Sequence, residues 1–201
     1  MKIIGSQFSP FVRVVRAVCD IYGQPYSLID TGSFVNMSPE NRALIETHNP
    51  LMKVPVLIDG EKIILDSRVI VSYIMSKAAA RSDDMSFGTY PLSYIDENLV
   101  TVIYGIADSG VLRFILGNTS ALPMDAGYML RSLERMKGGM TYLENSEHLG
   151  QNFGLAELSL VCMLEWFEKR NVFAWDEYTR LGQIYDKYRG EACLLATRIP
   201  D

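Results

Sequence analysis

The chain has 201 residues, 48% of them hydrophobic and 21% charged, so it can bury a sizeable core as one large domain or two small ones. A formal net charge of −5 offers no basic face for nucleic acid, and the three cysteines, each among apolar residues, predict buried thiols and no metal site. The absence of an apolar run near the roughly 20 residues that span a bilayer, and of a secretory signal, predicts a cytoplasmic protein with no membrane partner.

The first eighty residues alternate short apolar runs with helical patterns. Lys2–Gly5 is typical of a buried strand, and Pro10–Tyr22 repeats apolar residues at helical spacing until Gly23, which is a typical helix C-cap. Tyr26–Asp30 predicts a second strand, and one helical turn is expected around Pro39–Ile45. This β-α-β order implies a parallel pair of strands.

The clearest local signal is a hairpin. Val54–Ile58 and Lys62–Leu65 are short apolar runs joined by an Asp-Gly turn, which requires positive φ angles and marks a β-hairpin. Asp66 and Ser67 then supply N-cap chemistry for a helix over residues 68–77. The order β-α-β followed by β-β-α predicts a thioredoxin-like domain.

The second half of the chain has only helical patterns. Residues 79–91 collect Ser, Asp, Gly and Pro, which predicts a linker between a thioredoxin-like domain at 1–78 and an all-helical domain at 92–201. The fold class is therefore α/β plus all-α. The predicted helices are Leu92–Leu116, Asp125–Leu143, Trp175–Tyr188 and Leu155–Glu168, the last of them apolar on nearly every face and thus the expected centre of a bundle.

Ser9-Pro10, at the start of the first predicted helix, is the first constellation that could carry chemistry. Pro10 suits the first turn of a helix, and Ser9 could simply cap it. Alternatively, the Ser9 hydroxyl could donate a hydrogen bond to a bound thiolate, which would favour the ionised thiol and lower its pKa. No base is identifiable that would make Ser9 a nucleophile.

Two further constellations follow. The run N-P-L-M-K-V-P, which ends at Pro55, places a proline at the start of a strand, either at an ordinary sheet edge or against a ligand. In the second case an exposed edge beside Val54 could pair with a peptide backbone, as an added strand would. Asp66 and Ser67 could simply cap the helix that follows them. Alternatively, Asp66 could pair with the ammonium of a ligand, while Ser67 and nearby backbone N–H groups hold its carboxylate.

Taken together, these segments resemble the cytosolic glutathione S-transferase superfamily. SPFVRVVRAVCDIYG resembles the catalytic loop and first helix of serine-type, bacterial-like members. NPLMKVPVLIDG and ILDSRVIVSYI resemble the core of the glutathione site, and ATRIPD resembles a familiar ending. The similarity spans the chain and is sharpest over residues 5–19 and 49–75.

The resemblance implies a transferase that uses glutathione as co-substrate, without a cofactor or a metal, and adds its thiolate to a small hydrophobic electrophile in detoxification. Ser9 would hydrogen-bond the glutathione sulfur. Val54 would pair with the cysteinyl unit, preceding a cis Pro55, and Lys53 would lie near the glycyl carboxylate. A homodimer is also implied.

The resemblance implies further site residues, one of which departs from the family pattern. Asp66 and Ser67 would hold the γ-glutamyl end, although Asp66 is one methylene shorter than the more common Glu or Gln. Phe8, Phe11 and Tyr104 would line the electrophile pocket.

A second departure concerns the buried helix of the second domain. Its N-cap, usually Ser or Thr, is Gly154 here, while Glu157 can still reach back to the Gly154 N–H. We expect a modest loss of stability.

Two alternatives use the same fold. One is a non-catalytic binding or regulatory protein of the stringent-starvation type, which contacts RNA polymerase, and the other is a glutathione-dependent isomerase or dehalogenase. The transferase is favoured over the first by retention of residues that such members often lack: Ser9, Lys53, Val54-Pro55 and Asp66-Ser67. The sequence leaves open the second substrate, and conjugation as against peroxidase or isomerase activity.

Overall fold

The computed structural model describes residues 1–79, 87, 91–120 and 122–200. The chain folds as two compact units, the first formed by Met1–Pro91 with Glu191–Asp201 and the second by Leu92–Gly190. Most of the predicted linker, 80–86 and 88–90, lies outside the described residues. The predicted fold class is confirmed, because a small mixed sheet with helices is followed by an all-helical region.

The first unit is built on a four-stranded sheet of order β2-β1-β3-β4. Its strands are β1 Lys2–Gly5, β2 Ser27–Asp30, β3 Val56–Asp59 and β4 Lys62–Leu65. β1 and β2 are parallel, as the β-α-β order predicted, and β3 is antiparallel to both β1 and β4. The hairpin turn is Gly60-Glu61, with a positive φ at Gly60.

The edge-strand interpretation of Pro55 is wrong. β3 pairs with a strand on each side, so it is an inner strand, and the edges of the sheet are β2 and β4. Pairing begins at Val56, so Val54 and Pro55 precede the strand. The hairpin predicted the neighbour β4, but sequence pattern alone could not show the second neighbour, because β1 comes from a distant part of the chain.

The helices follow in chain order. They are α1 Pro10–Ile21, α2 Pro39–His48, α3 Ser67–Ala79, α4 Tyr94–Thr119, α5 Gly127–Glu144, α6 Leu155–Arg170, α7 Thr179–Tyr188 and α8 Ala192–Ala196. α2 is longer than the predicted single turn, because the Ser38 side chain caps it and Pro39 lies in its first turn. α7 begins four residues after the predicted Trp175.

α6 is the centre of the helical unit, as predicted, since every residue from 155 to 167 is buried. At its start, Glu157 accepts hydrogen bonds from the N–H groups of Gly154 at 3.1 Å and Gly150 at 2.8 Å. The expected reach of Glu157 to Gly154 is therefore confirmed. Burial raises the pKa of the Glu157 carboxyl above its usual value.

α4 corrects the expectation that no apolar run in the chain approaches the length that spans a bilayer. By length and composition it is apolar enough to cross a membrane, and 44% of its most apolar window is buried within the structure. It packs against α5 and α6. A core helix of a soluble protein passes the same test, so α4 alone is weak evidence for a membrane span.

The chain end differs from the predicted helical domain 92–201. The residues from Glu191 onwards group with the first unit, because α8 packs against α1. The buried guanidinium of Arg13 donates a hydrogen bond from Nη2 to the Leu194 carbonyl at 3.1 Å, and Leu194 is fully buried.

Candidate functional site

The residues expected to bind glutathione lie at one end of the sheet in the first unit. β1 and β4 run towards this end and β3 starts from it, because β3 is antiparallel to both. Ser9 follows β1, Val54 precedes β3, and Asp66 with Ser67 follows β4. Val56 pairs with Ile4 of β1 and with Leu65 of β4, so Val54 lies two residues before the paired part of β3. We call this the site end of the sheet.

Ser9 caps α1, and its hydroxyl keeps a proton to donate. Ser9 Oγ accepts a long hydrogen bond from the Val12 N–H at 3.4 Å, and Pro10 lies in the first turn. A serine hydroxyl accepts such a bond and still donates its own O–H. Within the part of the chain that the structure describes, no acceptor for this proton lies within hydrogen-bonding distance. Capping is therefore compatible with donation to a ligand.

The loop that carries Ser9 is tied to the end of β2 by a residue that sequence reasoning missed. Asp30 Oδ1 accepts hydrogen bonds from the N–H groups of Gln7 and Gly32, each at 3.1 Å. Beside it, the buried Ser6 hydroxyl accepts the Phe8 N–H at 3.2 Å. The only sequence signal was an Asp two residues before a Gly, which is common in turns.

A second loop leads to Val54, and Asn49 organises it. Asn49 is 2% exposed, donates from Nδ2 to the Lys53 carbonyl at 2.7 Å, and accepts the Leu51 N–H at 2.9 Å. The Val54–Pro55 peptide bond is cis. Across residues 1–79, neither the N–H nor the C=O of Val54 has a hydrogen-bond partner. An unpaired backbone beside a strand is able to bind an extended peptide.

The turn after β4 places a carboxylate at the start of α3. Asp66 has a φ of 69° and accepts the Arg68 N–H at 2.8 Å, so it caps the helix. Asp adopts positive φ more readily than most residues, which gives a physical reason for Asp in place of Glu or Gln. Ser67 is buried, and Lys53 is exposed. The capping interpretation of Asp66 is confirmed, and its ligand role remains a prediction.

The three residues expected in the electrophile pocket belong to different units. Phe8 and Phe11 are half-buried at the start of α1 in the first unit. Tyr104 belongs to α4 in the second unit and is only 9% exposed.

The cysteines are free and buried, as predicted. Burial raises the pKa of the Cys19 thiol to about 12 and also raises that of Cys193, so neither is a thiolate at neutral pH. Among the described residues, no group of three or more His, Cys, Asp or Glu side chains is arranged to hold a metal ion.

Comparison with known proteins gives consistent results. Residues 3–82 match the family model described as "Glutathione S-transferase, N-terminal domain". The chain is 22% identical to glutathione S-transferase U17 of Arabidopsis thaliana over 174 residues, which are 83% of this chain and 73% of that protein. It is 38% identical to glutathione S-transferase U3 of the same plant over 74 residues, 37% of this chain and 32% of that protein.

A solved structure extends the similarity to nearly the whole chain. The glutathione S-transferase from Methylobacillus flagellatus KT, with GSH bound, superposes with a TM-score of 0.81 at 23% identity, covering 99% of each chain. The chain has the glutathione S-transferase fold, and residues 3–82 match the model of that family's N-terminal domain.

Proposed function

We propose that this protein is a glutathione transferase that stabilises the glutathione thiolate through Ser9 and adds it to a small hydrophobic electrophile. The observation that carries the proposal is the Ser9 hydroxyl, which accepts the Val12 N–H and retains its own proton. It belongs to the same end of the sheet as the unpaired Val54 backbone. A thiol tripeptide requires a hydrogen-bond donor for its sulfur and an unpaired backbone segment for its peptide groups, and this end of the sheet has both.

Each part of the tripeptide has a matching group. The Val54 N–H and C=O would pair with the cysteinyl unit, as an added strand would. The exposed Lys53 ammonium would attract the glycyl carboxylate. At the other end, the N-terminus of α3 at Ser67 favours the γ-glutamyl carboxylate, and the Asp66 carboxylate favours its ammonium.

The chemistry follows from thiol ionisation. A free thiol has a pKa of roughly 8.5, so only a few per cent is thiolate at pH 7. A hydrogen bond from Ser9 to the sulfur favours the charged form, and the positive end of the α1 dipole acts in the same direction. The thiol proton leaves to solvent, the thiolate sulfur forms a bond to the electrophilic carbon, and a leaving group such as chloride departs.

Ser9→Ala tests the assigned role. We expect glutathione affinity to stay within about twofold and the rate of conjugation to 1-chloro-2,4-dinitrobenzene to fall about 10- to 1000-fold, as on removal of a preorganised donor. The pH–rate profile should move towards the pKa of free glutathione. Ser38→Ala is the matched control, because Ser38-Pro39 caps α2 in the same way.

Equal rates for the two variants would move the catalytic role away from Ser9. Retention on glutathione-agarose without any conjugation by the unmodified protein would instead support a binding or regulatory protein. The electrophile pocket at Phe8, Phe11 and Tyr104 remains a prediction. We also propose the homodimer, the cytoplasmic location and the division into a glutathione-binding and a helical domain.

A further inference from the structure

A cavity of about 400 Å³ opens within the helical unit. Its walls are aromatic side chains from α6, from the segment before α7, and from α7: Phe167, Phe173, Trp175 and Tyr185. We call it the aromatic cavity. Trp175 and Tyr185 meet edge to face with their ring centroids 5.3 Å apart, and Phe167 and Phe173 do so at 5.9 Å. The volume falls within the range of small-molecule sites.

The rim of the aromatic cavity is acidic. It carries the carboxylates of Glu168, Asp176 and Asp186 and a single cation, Arg189. Arg189 is already engaged, because its Nε lies 3.1 Å from Asp186 Oδ1 and its guanidinium lies over the Tyr185 ring at 5.5 Å. Glu168 and Asp176 are exposed and have no ion-pair partner between residues 122 and 200. The rim therefore has two carboxylates available.

The pKa of the Tyr185 hydroxyl is raised mainly by burial, then by the charges of Glu165, outside the cavity, and of Glu168 on its rim, while Arg189 lowers it. The last turn of α6 adds the negative end of a helix dipole. Lys169 and Arg170 follow Glu168 in the chain but do not line the cavity.

We propose that the aromatic cavity binds a small aryl-alkyl ammonium ion. Its aromatic ring would contact Phe173 and Trp175, and its cationic group would lie between the Trp175 ring and the carboxylates of Glu168 and Asp176. Aromatic faces and free carboxylates both attract an organic cation, and neither attracts an anion of the same shape. All of these residues belong to the second unit, so the proposal is independent of the glutathione site.

Gly182 provides a way to fill the cavity. It lies on α7 among the lining residues, and a Cβ placed there would meet Cζ3 of Trp175 at 3.9 Å, an ordinary contact. Gly182→Leu therefore adds volume facing Trp175 without a clash at Cβ. Glu168→Gln with Asp176→Asn removes both available charges and keeps the shape.

The probe is benzyltrimethylammonium, with benzylsulfonate as its anionic counterpart of similar shape. The chain has only two tryptophans, so its NMR spectrum has two indole N–H signals, and Trp175→Phe identifies the one in the cavity. We expect the Trp175 signal to shift saturably with the cation, with an apparent Kd below about 5 mM. Both Gly182→Leu and the double neutral variant should weaken binding about tenfold or more, and Glu134→Gln, an exposed control, should not.

The proposal is overturned if the cation shows no saturation up to 20 mM, if benzylsulfonate binds within twofold of it, or if the double neutral variant binds it unchanged. Circular dichroism and the dispersion of the NMR spectrum show whether each variant is folded. Should Gly182→Leu fail that check, the double neutral variant alone decides, since it alters only exposed side chains.

Discussion

Asn49 illustrates how one side chain shapes a binding loop. Its almost fully buried amide donates a hydrogen bond to the Lys53 carbonyl and accepts one from the Leu51 N–H. Asn49→Ala would remove both hydrogen bonds. Because a typical intramolecular hydrogen bond contributes about 0.5–1.5 kcal/mol, we expect the loss of two to lower the free energy of unfolding by about 1–3 kcal/mol.

The same variant should also weaken glutathione binding, since the loop that leads to Val54 would lose its shape. Urea denaturation and calorimetric titration with glutathione measure the two effects. Asn36→Ala, at an exposed position of the same unit, is the control. Glutathione affinity equal to that of the unmodified protein would show that Asn49 does not shape the site.

At the residue scale, local chemistry could be predicted from sequence and long-range contacts could not. The caps at Ser9 and Asp66 could be predicted, because a cap depends on neighbours three residues away at most. Asp30 could not, because its contact with the Gln7 N–H exists only once β1 and β2 are paired. The ligand roles of Ser9 and Asp66 stay predictions, because they depend on a molecule that neither pattern describes.

At the scale of elements, the carboxylate of Asp59, the last residue of β3, binds two side chains of α3. Asp59 Oδ2 accepts hydrogen bonds from the Tyr73 hydroxyl and the Lys77 ammonium, each at 2.7 Å. These two hydrogen bonds, that from Lys77 first, lower the pKa of the Asp59 carboxyl below its usual value. A lowered native pKa stabilises the fold above the unfolded pKa of about 3.9, and the stability is lost as the pH falls through the native pKa.

Asp59→Asn should therefore reduce the free energy of unfolding at pH 7 by about 1 kcal/mol, because the pair is partly exposed and screened by solvent. The difference should shrink as the pH is lowered below about 5, because the unfolded carboxyl takes up its proton first, and it should vanish once the pH falls through the lowered native pKa. Urea denaturation across this range measures it. A difference that stays constant with pH would show that the charge of Asp59 is not the cause.

Element types followed from sequence more reliably than their surroundings. The periodicity of 155–168 predicted both a helix and its burial, because a helix apolar on all faces must lie in a core. The pattern of β3 predicted a strand and its hairpin partner β4, but the interpretation as an edge strand was wrong. The pairing of β3 with β1 joins distant segments, which no local pattern encodes.

At the scale of the whole molecule, the chain returns to its first unit at the end. α8 follows the helical unit in sequence but packs on α1. The predicted boundary at residue 92 followed the change of pattern from mixed to helical, and a short helix after Glu191 continued that pattern. The burial of Leu194 and the hydrogen bond from Arg13 to its carbonyl show that this helix packs in the first unit.

Two neighbouring leucines of α8 test this arrangement. Leu194 is fully buried, whereas Leu195 is 52% exposed, so the same substitution has different consequences at the two positions. Leu194→Ala should lower the free energy of unfolding by about 2–5 kcal/mol, as for other buried leucines, and Leu195→Ala should change it by less than about 0.5 kcal/mol. Hydrogen exchange should then locate the loss: faster exchange of the α1 amides, with α6 protected as before. Faster exchange confined to α6 would mean that the chain end supports the helical unit instead.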